Sequence, residues 1–274
     1  MALTGSASPI VSGIQSGHLR PSTRLSIAII SFNEEANIAR CIEAVKPIAD
    51  EVVVVDSFST DRTVEIAEAL GATVYREKWK GYVDQKNSAL EKCAGDWILS
   101  LDCDEVVSDE LAASLSAALA APAADGYRVN RLTFFLGRWI EHAWYPDWNV
   151  RLLKRGAGRW QGLDLHETLV VDGAVLPLTG DLHHYSFRAL RDFFERTVRY
   201  AATGAQSYRR GGKRPGLGKL LINPLHGFFK HYVLKRGFLD GLPGFLVSVS
   251  NGIYVFMKYA FLWEQQNGKD GGKR

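Results

Sequence analysis

Short apolar runs and amphipathic segments alternate along the front part of the chain. Residues 25–32, LSIAIISF, are almost wholly apolar, which is typical of a strand covered on both faces. After them, Ile38, Cys41, Ile42 and Val45 recur at the spacing of a single helix face. These two patterns predict a buried strand followed by a helix that packs on it.

The same alternation continues through three further strand-like runs. They occupy residues 51–58 (EVVVVDSF), 73–79 (TVYREKW) and 96–102 (DWILSLD), and the helical segments RTVEIAEAL and NSALEKCAG lie between them. Strand and helix in regular alternation predict an α/β fold with a parallel, doubly wound sheet. An alanine-rich helix over residues 111–124 is expected to be a surface connector.

Polar residues gather where three of the predicted strands end. SFNEE follows the first strand, DSFSTD the second and DCDE the fourth. Because ligands of open parallel sheets bind beyond the carboxyl ends of the strands, these loops predict a ligand site. Asp102, Asp104 and Glu105 at the end of a buried strand would repel one another unless a cation lies among their oxygens. The cluster therefore predicts a divalent metal site.

The rear of the chain differs from the front in charge and hydropathy. Residues 181–274 contain 16 Lys/Arg and 6 Asp/Glu, whereas residues 1–180 contain 17 and 24. As a helix, residues 243–263 would span about 31 Å, which is enough to cross a bilayer. Ser248, Asn251 and Lys258 interrupt the apolar stretch. Burial within the protein, attachment to a membrane interface and a membrane crossing are all open at this point.

Basic residues interleaved with aromatic ones precede this apolar stretch. Lys230, Lys235 and Arg236 lie among phenylalanines and a tyrosine, a pattern that fits an anionic membrane leaflet. No nucleic-acid reading module accompanies the positive charge, so a membrane surface is favoured over nucleic acid. We expect a flexible leader over residues 1–24, an α/β domain over 25–190 and a helical, membrane-associating extension over 191–274.

Several common signatures are absent, and the composition indicates a reducing compartment. The three cysteines form no CxxC pair, and the first residues show no charged start followed by an apolar core. Both features favour the cytoplasm. No GxGxxG follows the first strand, GLGKL lacks the Ser/Thr of a phosphate loop, and HETLV lacks the second histidine of a zinc-protease helix. Of the nucleotide-binding sites considered, there remains a nucleotide or sugar-nucleotide site that uses a DxD-type metal.

The motifs IAIISFNEEANIARCIEAV, EVVVVDSFSTDRTVEIA, GYVDQKNSAL and DWILSLDCDEVVS occur in this order along the chain. They resemble the successive motifs of family 2 glycosyltransferases, which have the Rossmann-like GT-A fold. GRWQGLDLHETL and KRGFLDGLPGF extend the resemblance to lipopolysaccharide inner-core β-glucosyltransferases of bacteria. The resemblance implies an inverting transferase that uses a UDP-sugar, a divalent metal ion (Mn²⁺ or Mg²⁺) and a lipid-linked saccharide acceptor at the inner face of the cytoplasmic membrane.

The resemblance also assigns roles to individual residues. Asp102 and Asp104 match the DxD that binds the metal and the diphosphate, and His183 is preferred to His184 as a further metal ligand. Asp56 is expected to accept the N3–H of uracil. The remaining expected nucleotide-sugar contacts are Ser31, Asn33, Glu34, Ser57, Ser59, Gln85, Lys86, Asn87, Asp102 and Glu105.

One carboxylate must deprotonate the acceptor hydroxyl in an inverting transfer. Glu167 in LHETL stands where the family carries its acidic base motif, and Asp147 in YPDWN is the alternative. His166 is expected to orient the base or to contact the acceptor. Two other hypotheses are a sugar-nucleotide nucleotidyltransferase, which would need a Gly-rich phosphate loop that ISFNEEAN lacks, and a non-catalytic sugar-nucleotide-binding protein, which would tolerate a broken DxD.

Overall fold

The computed structural model describes residues 23–162, 167–187 and 189–267. The expected leader, apart from its last two residues, and His166 lie outside these ranges. Regular elements of the front half follow in the predicted order: β1 (Leu25–Ser31), α1 (Ile38–Val45), β2 (Glu51–Asp56), α2 (Thr63–Ala69), β3 (Thr73–Arg76), α3 (Tyr82–Glu91) and β4 (Trp97–Asp102).

Strand-rich structure follows, and helices end the described chain. The strand-rich part comprises β5 (Glu105–Val107), α4 (Asp109–Ala120), β6 (Gly126–Phe135), β7 (Arg138–Trp139), β8 (Trp148–Lys154), β9 (Gly158–Gln161), β10 (Thr168–Val171) and β11 (Val175–His184). The helical part comprises α5 (Leu190–Arg210), α6 (Leu217–Phe229), a π-helical turn (Lys230–Leu234), a 3₁₀ turn (Gly237–Asp240) and α7 (Gly241–Asn267).

The main sheet has the strand order β3-β2-β1-β4-β8-β6-β11-β5, with β7 beside β6. β1 is parallel to both β2 and β4, and β2 is parallel to β3. The predicted α/β fold is therefore confirmed, and its chain reversal lies between β1 and β4, the position where such sheets bind ligands. β8 pairs antiparallel with β4 and β6, so the second half of the sheet is mixed.

Helices and a small hairpin cover the two faces of the sheet. On one face, Ile27 and Ile29 of β1 pack in a cluster with residues of α1 and α4. On the other face, Ala28 packs with residues of α3 and of the hairpin β9–β10. This division follows from the alternation of side chains along a strand.

α4 belongs to the core, which differs from the expected surface connector. Leu111, Leu115 and Leu119 are buried and lie in the same cluster as β1. Their spacing of four residues places them on a single face of the helix, and the alanines between them hid this stripe in the sequence. Ser108 caps the helix by accepting a hydrogen bond from the N–H of Leu111 at 3.2 Å.

The C-terminal helices form a layer of their own that is joined to the sheet domain. α7 packs against both α5 and α6, and a Cβ atom on Gly252 would lie 3.1 Å from the carbonyl oxygen of Pro224 in α6. Asp240, which is buried, accepts hydrogen bonds from the backbone N–H groups of residues 141–143 and contacts His142 Nδ1 at 2.8 Å. This carboxylate therefore ties the 3₁₀ turn to the loop after β7.

One helical segment, Gly237–Asn267, is long and apolar enough to cross a membrane, judged by length and composition. A third of its most apolar window is buried inside the protein (33%). Val247, Ser248 and Leu262 are fully buried, so packing inside the protein accounts for part of the predicted apolar stretch.

Candidate active site

The carboxyl ends of β1, β2 and β4 meet at the chain reversal of the sheet. Ser31 at the end of β1 is in register with Asp56 at the end of β2, and Ile30 is in register with Asp102 at the end of β4. The parallel pairing thus brings the polar loops together at one edge, as their positions in the sequence predict.

Asp56 organises the loop that follows β2. Its carboxylate is fully buried and accepts hydrogen bonds from Ser31 Oγ at 2.9 Å, from the N–H of Ser59 at 2.8 Å and from Ser59 Oγ at 2.5 Å. These bonds hold the turn at Phe58, whose φ of 62° is left-handed. Three of the predicted nucleoside contacts, Asp56, Ser31 and Ser59, therefore form one hydrogen-bonded unit.

The loop after β1 is cross-linked to this unit. The N–H of Asn33 donates to Ser59 Oγ at 2.8 Å, and Asn33 Oδ1 accepts from the N–H of Thr60 at 2.9 Å. The N–H of Glu34 donates to Thr63 Oγ1 at 2.7 Å at the start of α2. Two loops far apart in sequence are thus fixed as one surface.

Asp102 lies between two cations at the end of β4. Its Oδ1 is 3.0 Å from Lys86 Nζ and its Oδ2 is 3.3 Å from Arg151 Nη2. Burial alone would raise the pKa of Asp102, but the positive charges of Lys86 and Arg151 outweigh burial and hold the pKa well below its usual value. The carboxylate is therefore ionised at neutral pH.

Glu105 is turned away from the edge of the site. It is fully buried, accepts from the N–H of Asp102 at 3.0 Å and pairs with Arg151 at 2.5 Å. Arg131 Nη1 lies 3.7 Å from the same carboxylate oxygen. Because its oxygens bond to the protein itself, Glu105 differs from the expected metal or ribose contact and instead positions Arg151 and the backbone of Asp102.

Asp104 faces His184 and not His183, which the resemblance favours as a metal ligand. His184 Nε2 lies 3.3 Å from Asp104 Oδ2, whereas His183 stacks on Trp139 with 4.4 Å between ring centroids. Burial raises the pKa of Asp104, but the contact with His184 and, to a smaller extent, the charge of Arg196 lower this pKa to below its usual value. Of the two histidines, only His184 lies beside Asp104, so His184 replaces His183 as the predicted metal ligand.

Strand pairing explains this correction. β11 shifts its register against β6 between Pro177 and Asp181, so alternation counted from the start of the strand loses its phase. Beyond the shift, His184 pairs with Glu105 and His183 pairs with Val106 on β5. His184 is thereby directed to the DxD side of the sheet.

Lys86 joins the DxD to the predicted base. Its ammonium group is buried, lies 3.0 Å from Glu167 Oε1 as well as from Asp102, and sits 4.4 Å from the ring centroid of Trp160. Asp147, the alternative base, is held elsewhere, because Arg131 donates to its Oδ2 through Nε at 2.9 Å and Nη2 at 2.8 Å. Of the two candidates, Glu167 is the one that is linked to Asp102 through a single side chain.

The neighbours of Lys86 on α3 have structural partners. Asn87 donates to the carbonyl oxygen of Trp160 at 2.9 Å and accepts from its N–H at 2.8 Å, so it fastens β9 to α3 and differs from the expected sugar contact. Gln85 is fully buried and donates to Ser57 Oγ at 3.3 Å. Gln85 therefore supports the loop after β2 through Ser57.

Two residues of the site were not singled out in the sequence. Arg151 is 3% exposed and bonds both Asp102 and Glu105, and Trp160 packs under Lys86 and donates from its ring to Ser100 Oγ at 3.3 Å. An arginine inside the apolar run WNVRLLK signals a buried charge that needs carboxylate partners. No comparable signal marks Trp160.

The donor atoms at the site suit a divalent metal ion that is completed by another ligand. Asp104 and His184 supply a carboxylate and an imidazole side by side, and this pair of donors suits Mn²⁺. Within residues 23–162, 167–187 and 189–267, no group of three or more His, Cys, Asp or Glu side chains is close enough to hold a metal ion alone.

Known proteins resemble this chain over most of its length. The model of the family described as Glycosyl transferase family 2 matches residues 26–169. The lipopolysaccharide core biosynthesis glycosyltransferase LpsC of Rhizobium meliloti is 31% identical over 89% of this chain and 94% of its own length. An uncharacterized glycosyltransferase of Rickettsia typhi is 32% identical over 88% of this chain and 87% of its own.

Among solved structures, a mannosyltransferase from Pyrobaculum calidifontis in complex with GDP-Man and Mn²⁺ superposes with a TM-score of 0.53. The match covers 90% of this chain and 88% of that one at 17% identity. Because the identity is low, this likeness shows the shared fold alone.

Proposed function

The chain belongs to glycosyl transferase family 2, and from this membership we propose that it moves glucose from UDP-glucose to a lipid-linked saccharide with inversion at the anomeric carbon. The name of LpsC and the coverage of almost all of its length support a saccharide of the lipopolysaccharide core as the acceptor. The acceptor would be met at the inner face of the cytoplasmic membrane.

The observation that carries this proposal is the cluster at the end of β4. Lys86 bridges Asp102 and Glu167 at 3.0 Å each, and Asp104 pairs with His184. A transferase of this kind needs groups that hold a diphosphate and its cation close to a carboxylate that takes a proton, and this cluster supports such an arrangement.

The donor would be held by three groups of residues. Asp56, fixed by Ser31 and Ser59, would accept the N3–H of uracil. Asp104 and His184 would hold Mn²⁺ or Mg²⁺ together with diphosphate oxygens, and Asp102 would complete that shell. When bound, the metal acts as a Lewis acid that offsets the negative charge on the departing UDP.

Lys86 would contact the donor, and Glu167 would contact the acceptor. The Lys86 ammonium would donate to a phosphate oxygen of the donor in place of Asp102, with which it is paired in the absence of donor. Glu167 would take the proton of the acceptor hydroxyl while that oxygen bonds to the anomeric carbon and the bond from this carbon to UDP breaks. Asp147 is the weaker candidate because two donors of Arg131 already occupy one of its oxygens.

The test is turnover with a panel of UDP-sugars and Mn²⁺. Wild-type protein should release UDP from UDP-glucose in a metal-dependent way, and a lipid-linked core saccharide should accelerate the release. Glu167→Gln should still bind UDP-glucose while transfer falls about 10²- to 10⁴-fold, the usual loss on removing a general base. Asp172→Asn, an exposed change beyond the short strand that follows Glu167, is the control. Normal turnover by Glu167→Gln would move the role to Asp147. Formation of UTP and glucose 1-phosphate from UDP-glucose and added pyrophosphate, without release of UDP, would indicate a nucleotidyltransferase.

We also propose that α6, rather than α7, makes the main contact with the membrane. The exposed apolar side chains Leu217, Leu221, Leu225 and Phe229 recur every four residues along one face of α6. Exposed basic residues flank this face, and from residue 206 to residue 263 the only acidic residue is Asp240, which is buried. An apolar stripe within positive charge fits the surface of an anionic bilayer.

Vesicle sedimentation tests this surface. The protein should sediment with vesicles that contain a quarter phosphatidylglycerol and much less with pure phosphatidylcholine. Replacing both Leu221 and Leu225 by Asp should abolish the difference, whereas Leu176→Asp, an exposed leucine of the sheet domain, should leave it intact. Equal binding of all three proteins would contradict the assignment of α6.

A further inference from the structure

A cavity of about 330 Å³ lies between α5, α7 and the loop before β8. Its volume is at the lower end of the ~300–1,000 Å³ that small-molecule pockets have. The residues that matter here are Trp144, Phe187, Arg196, Tyr200, Asn251 and Tyr254. The cavity is separate from the nucleoside loops, because none of the residues around Asp56 lines it.

Aromatic rings and a few polar groups make up the wall. Trp144, Tyr200 and Tyr254 offer aromatic rings, on which the C–H side of a pyranose ring can pack. The two tyrosines carry a hydroxyl group at the ring edge, and the tryptophan carries an N–H. Asn251 donates to the carbonyl oxygen of Val247 at 2.9 Å, which leaves its amide oxygen on the wall. This mixture of rings and hydrogen-bonding groups suits a sugar better than an acyl chain, which needs no polar partner.

Arg196 gives the cavity a positive charge. Its Nη1 donates to Ser186 Oγ at 3.1 Å, and its guanidinium carbon lies 5.4 Å from the ring centroid of Phe187. Its charge also reaches Asp104, whose pKa it lowers. A partly buried guanidinium whose hydrogen bond goes to a serine hydroxyl is suited to bind a phosphate or carboxylate of a ligand in a two-pronged contact.

The cavity adjoins the DxD through β11. Ser186, the partner of Arg196, follows Tyr185, whose N–H donates to the carbonyl oxygen of Asp104 at 2.8 Å. His184, the side-chain partner of Asp104, precedes Tyr185. Two residues of extended chain span about 7 Å, so a saccharide in the cavity can present a hydroxyl towards the reacting centre.

We propose that this cavity binds the acceptor saccharide and that Arg196 pairs with a phosphate or carboxylate group on that saccharide. The inference rests on the proposed transferase function and adds the chemical class of the acceptor. Trp144, Tyr200 and Tyr254 pack on the sugar rings, and Asn251 accepts a hydroxyl proton in a hydrogen bond.

Saturation-transfer NMR with small probes tests the site directly. The probes are glucuronic acid and mannose 6-phosphate, which carry a charge, methyl glucoside, which does not, and octanoate, which carries a charge on an acyl chain. Wild-type protein should bind the two charged sugars more tightly than methyl glucoside and octanoate. Arg196→Met should weaken the charged sugars about tenfold or more, in line with the loss of a charge-assisted hydrogen bond, and leave methyl glucoside unchanged.

Three further variants serve as controls for this test. Arg199→Met removes a charge from the exposed side of the same helix and should change no probe, whereas Arg196→Lys should retain part of the preference for charged sugars. Thr203→Trp, which fills the cavity, should weaken all three sugars. Equal binding by Arg196→Met and wild type, or a preference for octanoate over the sugars, would overturn the proposal.

The outcome separates this inference from the proposed function. Metal-dependent hydrolysis of UDP-glucose by wild-type protein, measured without acceptor, tests the donor site and does not involve the cavity. If hydrolysis is found and the charged sugars do not bind, the cavity inference fails and the transferase stands. If the charged sugars bind in the way described and no UDP-sugar is used, the transferase proposal fails and a saccharide site is left.

Discussion

Replacement of Lys86 by Met removes the cation that two carboxylates share. The ammonium group lies 3.0 Å from Asp102 Oδ1 and 3.0 Å from Glu167 Oε1 and is 5% exposed. Without it, Glu167 loses its only ion pair among the described residues, whereas Asp102 keeps Arg151 at 3.3 Å. The variant therefore leaves the partly buried carboxylate of Glu167 without a cation and leaves Asp102 with one of its two cations.

The size of the effect follows from these contacts. At 3 Å and an effective dielectric constant of 20, each pair is worth about 5–6 kcal/mol before the cost of removing the charges from water. Breaking a buried ion pair by removal of one partner costs ~3–5 kcal/mol. Because Arg151 still neutralises part of the charge, we expect Lys86→Met to lower the free energy of unfolding by about 2–4 kcal/mol at pH 7.5.

Urea denaturation followed by far-UV circular dichroism measures the loss. Lys92→Met is the control, because Lys92 pairs with Glu77 at 2.5 Å but is 22% exposed against 5% for Lys86, and water weakens the more exposed pair. Adding Glu167→Gln to Lys86→Met removes the uncompensated charge and should restore about 1 kcal/mol or more. The reasoning is refuted if Lys86→Met costs no more than Lys92→Met, or if Glu167→Gln restores nothing.

The pH dependence of the deficit has a definite sign. Although burial opposes it, Lys86 and Arg151 hold the pKa of Asp102 below its usual value of 3.8. A depressed folded-state pKa contributes stability that is present above the unfolded pKa and is lost as the pH falls towards the folded one. The difference between wild type and Lys86→Met should therefore be full at neutral pH and shrink below the usual carboxylate range.

Three further predictions concern the rest of the chain. Hydrogen bonds from neighbouring lysines and a serine lower the pKa of Glu77 to about 2. Glu77→Gln should therefore destabilise the protein above pH 4.5. In urea denaturation, the difference in midpoint between wild type and this variant should shrink towards pH 2. Asp240→Ala leaves the N–H groups of residues 141–143 without their acceptor and should cost about 3 kcal/mol; a loss below about 1 kcal/mol in urea denaturation would contradict the clamp. Burial raises the pKa of the Cys41 and Cys103 thiols, so both should react with a disulfide reagent only after unfolding, and fast labelling of the folded protein would disprove their burial.

The sequence was sufficient for the front half of the fold because its signals there are local. The apolar runs at β1 and β4 and the helix face of Ile38 and Val45 are short-range patterns, and parallel strand order follows from their alternation with helices. The meeting of the loops at Asp56 and Asp102 follows in turn from that order, since the carboxyl ends of adjacent parallel strands lie at one edge.

The finer geometry of the site depends on non-local pairing and could not be predicted. β8 joins the sheet beside β4 and brings Arg151 to Asp102, although nothing near DCDE marks this contact. The choice between His183 and His184 depends on a register shift earlier in the strand. Glu105, which belongs to the same acidic cluster, is occupied by arginines that arrive from other strands.

The central claim is that Asp104 and His184 hold the cation that accompanies a nucleoside diphosphate. Calorimetry of UDP binding in Mn²⁺ and in EDTA tests this claim most directly. Wild-type protein should bind UDP about tenfold or more tightly in Mn²⁺ than in EDTA, a gain of ~1.4 kcal/mol or more. Asp104→Asn should lose most of this gain, and Asp109→Asn, an exposed change at the start of α4, should keep it. An undiminished gain in Asp104→Asn would contradict the account.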